Sequence, residues 1–124
     1  GNMFGSVAFM SYGSFWLSLV FLWMGADVLG LQKPDSISMG CYLFMWGLFT
    51  LVFFIQTLNG KTVGKILFFA LFVLFMLLAL FNFTGNKLIG QIAGFEGIIC
   101  VFIAFYEASA IMINDKYGRE VLPM

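Results

Sequence analysis

A helix of about 20 apolar residues is what it takes to cross the hydrocarbon core of a bilayer. This sequence has four such runs, at about 5–24, 39–58, 63–83 and 89–113. The segments between them are short. "GADVLGLQKPDSIS" joins the first two, "NGK" the second and third, and "TGNK" the third and fourth. Connections this brief force neighbouring spans to run antiparallel, and Gly with Asn marks the tight turns. Only 10% of the residues are charged, and 17 of 124 are Phe. A soluble domain carries about 25% charge, so water is excluded as the main solvent. The expected fold is all-α, a polytopic membrane helix bundle with four transmembrane helices in one transmembrane domain, residues 1–124.

The cations orient the bundle. Lys61, Lys65, Lys116 and Arg119 fall on the side of the chain's two ends, and Lys33 and Lys87 fall opposite. Four against two predicts that both termini of this chain face the cytoplasm. Trp23 and Tyr117 stand near span ends, where amphipathic rings anchor.

Several function classes drop out. Net charge is zero with no basic tract, so nucleic acid is not a partner. There is no His, which removes the commonest metal ligand and the usual neutral-pH base. Cys41 and Cys100 lie in apolar runs without metal spacing and read as small buried hydrophobes. No catalytic set, metal site or cofactor motif is present, and the chain is not read as an enzyme.

Polar groups inside the spans carry the remaining information, because hydrocarbon tolerates them poorly. The fourth span holds Glu96 and Glu107, eleven residues apart. That is three turns plus about 20° and about 16 Å of rise. Both carboxyls therefore share one stripe, with Cys100, Ile103 and Ala104 between them. Gly90, Gly94 and Gly97 fall mostly on another side, and Gly90 with Gly94 has small-xxx-small spacing suited to close packing. Glu96 reads either as a carboxyl hydrogen-bonded between helices or as a proton or substrate relay. Glu107, nearer the end, reads as a hydrated interfacial group or a relay. In the third span Leu71, Phe75, Leu78 and Asn82 share a stripe. Asn82 and Asn86 place amides near its outer end, for capping, for an interhelical bond or for lining a vestibule. In the first span Ser11, Ser14 and Ser18 recur on one face beside Tyr12. They serve either tight packing or a thin polar lining with a phenol at a constriction.

Four stretches then resemble one family: "FGSVAFMSYGSFWLSLV", "YLFMWGLFTLVFF", "AGFEGIIC" and "INDKYGREVLP". In order and along essentially the whole chain, they look like the acetate uptake transporter family and its bacterial succinate–acetate permease branch. The resemblance implies six-helix protomers in a homo-hexameric ring in the cell (inner) membrane. Each protomer would carry acetate, and in some members succinate, together with protons. It also implies an apolar constriction of a Phe, a Tyr and a Leu. Within the serine–tyrosine–glycine motif the Tyr is Tyr12, and by ungapped position the Leu is Leu71. Ala104 is the small residue facing the path from the last helix. Ser14, Asn82, Glu96 and Glu107 then become candidate polar lining or proton relay.

The sequence departs from the family's pattern in two ways. Its Asn-Pro-x-Pro-Leu-Gly-Leu element and first two helices, roughly 60 residues, are absent, and with them the constriction's Phe. The chain thus corresponds to helices three to six of the protomer, an N-terminally truncated piece. Glu107 stands where an apolar or amide residue is expected. Two alternatives remain open at this stage: a passive monocarboxylate channel of the same architecture, and a truncated membrane subunit that does not itself transport.

Overall fold

The computed structural model describes residues 3–32 and 34–124, with side chains from residue 7 onward except those of Phe9 and Ala26. Lys33, one of the two cations opposite the chain ends, lies outside the described residues. Four α-helices follow one another: α1 Met3–Val28, α2 Ser36–Gln56, α3 Thr62–Thr84 and α4 Lys87–Tyr117. A short 3-10 turn, Thr57–Asn59, extends α2. Each expected span falls inside one of these elements or, for the second, within α2 and its 3-10 turn. The largest difference is α4, at 31 residues. It runs on through "NDKY", polar residues that a hydropathy reading ends before and that a helix emerging into water accommodates. Among the described residues, α2 with its 3-10 turn, α3 and α4 are each long and apolar enough to cross a membrane. They make the chain a multi-pass membrane protein.

The chain divides into two compact units, Gly1–Asp35 and Ser36–Met124. The first is α1 with its exit loop. The carbonyl of Gly25 accepts from the N–H groups of Leu29 (2.9 Å) and Leu31 (3.2 Å). Gly30, at φ +71°, turns the chain there. Ser18 donates its hydroxyl to the Phe15 carbonyl at 2.8 Å, so this polar group is satisfied by its own helix.

The second unit is an antiparallel run of α2, α3 and α4, in which α3 packs on both others. Aromatic knobs fill glycine gaps between α2 and α3. A Cβ on Gly40 would lie 2.6 Å from Cε1 of Phe83, and one on Gly47 would collide with Met76 and approach Phe75. Phe53 and Phe68 stack with centroids 5.8 Å apart. Thr50 is fully buried and donates to the Trp46 carbonyl at 2.8 Å. Apolar packing between helices needs such close approach because lipid tails compete equally for any exposed aliphatic group.

Capping chemistry sets the α3–α4 turn. Gly85 adopts φ +68°, and its N–H donates to the Phe81 carbonyl at 2.8 Å. Asn86 then caps α4, its Oδ1 accepting the Leu88 N–H at 2.9 Å. Asn86 is thus a cap, as the amide-rich turn implied.

Candidate functional site

α4 meets α3 along a face that is part glycine and part polar. Gly90 lies under the Phe81 ring, where a Cβ would come within 2.8 Å, and Gly97 lies beside Leu74. Ala93 and Cys100 are buried on the same side. Gly94 is exposed, with open space where a Cβ would stand. This corrects the expected division into a glycine face that packs and a separate carboxyl stripe. Gly90 and Gly97 are seven residues apart and nearly coincide in projection, while Gly94 is rotated about 40° from Gly90. The contact with α3 is broad enough to reach the carboxyl stripe but leaves Gly94 out.

On that stripe the Cys100 thiol donates to Oε1 of Glu96 at 3.5 Å. Oε2 of Glu96 is buried and has no hydrogen-bond partner. Glu107 lies further along, its Oε1 close to Gly64 of α3, 3.5 Å from where a Cβ would stand. Gly64 is buried against it. Cys100 fits the expectation of a small buried hydrophobe. Cys41 does not: it is exposed on α2, because the α3 contact runs through Gly40, Leu43 and Gly47 instead.

The other candidate residues are distributed between the two units. Tyr12, half-buried, and Ser14, exposed, lie on α1 in the first unit. Leu71 and Asn82, both half-buried, lie on α3, and Ala104 is exposed on α4. The Asn82 amide donates to the Leu78 carbonyl of its own helix at 2.8 Å. It therefore bridges no helices, and its Oδ1 is the atom left for other work. Lys61, Lys65, Lys116 and Arg119 gather at one end of the second unit, where α3 begins and α4 finishes.

The tail contributes residues that the sequence reading did not single out. Gly118, at φ +65°, ends α4 and reverses the chain. Asn114 then holds the returning strand. Its Oδ1 accepts the N–H of Val121 (2.8 Å) and of Leu122 (2.9 Å), and its Nδ2 donates to the Leu122 carbonyl (3.0 Å). The Tyr106 hydroxyl donates to the Pro123 carbonyl at 2.7 Å. The Val63 N–H, one of the unsatisfied donors at the start of α3, donates to the Met124 carbonyl oxygen at 3.1 Å. Beside this strap, Val63, Ile66, Phe102, Ile103 and Tyr106 line an open apolar hollow of about 280 Å³. The only forewarning in the sequence was an Asn near a helix end, followed by Gly and then Pro.

Comparison with known proteins places this arrangement. The chain is 45% identical to the succinate-acetate/proton symporter SatP of Escherichia coli (strain K12) over 124 residues, 100% of this chain and 66% of that protein. It is 37% identical over 114 residues to the ammonia transport outward protein 2 of Saccharomyces cerevisiae, covering 88% of this chain and 40% of that one. The solved structure of the bacterial acetate channel SatP superposes with a TM-score of 0.95 at 45% identity, covering 100% of this chain and 68% of that chain. The chain thus spans about two thirds of the length of the SatP symporter it matches. The model of the GPR1/FUN34/yaaH family matches residues 1–122, and the chain belongs to that family.

Proposed function

We propose that this chain forms the greater part of a membrane carrier for acetate, and for succinate as a second substrate, working by proton symport along a path within each protomer. The observation that carries the reading is 45% identity, over the entire chain, to a protein named as a succinate-acetate/proton symporter. Tyr12, Leu71 and Ala104 are assigned to the apolar constriction. Ser14 and Asn82 are assigned to its polar margins, and Glu96 and Glu107 to proton handling. The protein works as a homo-hexamer in the cell's inner membrane. The end bearing Lys61, Lys65, Lys116 and Arg119 faces the cytoplasm.

The physical logic is that of a small amphiphile. Acetate presents a methyl group to an apolar neck and a carboxylate to amides and hydroxyls at its rim. A bare carboxylate sheds its water at high cost in low dielectric. A proton travelling with it removes that charge and the cost.

A passive channel of the same architecture is the second reading, favoured because the superposable solved structure is named as an acetate channel. The complete protein in liposomes distinguishes the two. Symport of one proton with each acetate moves no net charge, so acetate uptake beyond that of protein-free liposomes does not respond to an imposed membrane potential. A channel passing the acetate anion carries charge, so its uptake follows the potential.

A further inference from the structure

We propose that Glu96 is a proton-binding site, with the proton carried on Oε2 and the carboxyl oriented by Cys100. Its two oxygens have unequal surroundings. Oε1 accepts the Cys100 thiol at 3.5 Å, whereas Oε2 is buried with no partner. A thiol is a weak donor, so it orients the group without balancing a full charge.

The helix packed along this face supplies no counter-charge. α3 presents Leu74 beside Gly97 and Phe81 over Gly90. The only ionisable residue of α3 is Lys65. It adjoins Gly64, which sits at the level of Glu107, about 16 Å along the helix from Glu96. On α4 itself the ionisable groups nearest in sequence, after Cys100, are Lys87, at the start of the helix, and Tyr106, whose hydroxyl is given to Pro123. An ionised Glu96 would therefore place charge on a buried oxygen with no hydrogen-bond partner and no counter-charge on α3, a costly arrangement. Binding one proton forms the Oε2–H bond and leaves a neutral acid. Releasing it returns the proton to water or to a substrate carboxylate. The position suits coupling, since Glu96 lies on the same stripe as Ala104, assigned above to the path. That consequence rests on the symport reading, whereas the protonation does not.

Infrared spectroscopy of the complete protein in lipid tests the site directly. The wild type should show the carbonyl band of a protonated carboxylic acid at neutral pH. Glu96→Gln should remove the band. Cys100→Ala should shift it, because the thiol no longer donates to the carbonyl oxygen. Identical spectra for wild type and Glu96→Gln would overturn the proposal. Should the Gln variant fail to fold, Cys100→Ala decides alone: a shifted band supports the site, and an unshifted spectrum overturns it. Proton uptake accompanying acetate, followed with a trapped pH dye, should be lost in Glu96→Gln. If the wild type itself moves no protons with acetate, the symport reading fails, and the infrared band still reports on Glu96.

Discussion

Asn114 binds the backbone of Leu122 from both sides, accepting its N–H at 2.9 Å and donating to its carbonyl at 3.0 Å. One side-chain amide thus imitates a strand partner for a tail that has no sheet to join. With the Val121 N–H, the Tyr106–Pro123 bond and the Val63–Met124 bond, it ties the end of α4 to the start of α3.

Replacing Asn114 with Ala removes three of these bonds and should loosen the strap locally by about 3 kcal/mol, allowing each bond its usual net contribution. Hydrogen exchange at the Val121 and Leu122 amides should accelerate while the α2–α3 amides stay protected. Asn114→Asp keeps the acceptor and should have a smaller effect. Tyr106→Phe should speed exchange of the Val63 amide, which depends on the position of the strap. Unaltered exchange in Asn114→Ala would mean the strap is held by something else.

Glycine positions differ sharply in what a methyl group would meet. Gly47→Ala drives a Cβ into Met76 and against Phe75, an overpacking expected to cost about 1–3 kcal/mol. Gly94→Ala meets nothing within 4 Å. In a helix interior it should be neutral or stabilising by up to about 1 kcal/mol. Thermal unfolding of the two variants in detergent should move in opposite directions or leave Gly94→Ala unchanged. A less stable Gly94→Ala would show that this face is covered in the complete protein.

The α3–α4 turn depends on Gly85 at φ +68°. An Ala there forces an L side chain into the left-handed region, at a cost of about 1–2 kcal/mol. Gly85→Asn should recover part of the loss, since Asn tolerates that conformation. Comparing unfolding midpoints of the two variants checks this, and equal midpoints would remove the conformational argument.

For transport, Tyr12→Ala in the complete protein should change acetate flux or widen size selectivity, for example towards longer monocarboxylates, without altering assembly. Flux assays in liposomes with size-exclusion chromatography check both parts. Unchanged flux and selectivity would remove Tyr12 from the constriction.

How much of this was legible in advance follows from the range of each interaction. The helices could be read from the sequence because the bilayer imposes a length and an apolar composition on each crossing segment separately. The Gly85–Asn86 turn was legible for the same reason: a left-handed cap and an Asn side chain act within three residues. The Glu96–Cys100 spacing, one turn apart on a helix, was also in view. Three-dimensional packing decided the rest. Whether Gly94 or Gly97 meets α3 depends on the rotation of α4, which the side chains of Leu74 and Phe81 set. Which oxygen of Glu96 is left without a partner depends on what α3 places beside it. The strap depends on Gly118 reversing the chain, so that Asn114 meets residues seven and eight positions later. A local pattern specifies elements, whereas a contact between elements exists only once they are docked. Local sequence alone specified the four helices. Tertiary structure alone decided which α4 residues face α3 and that the tail closes over their shared end.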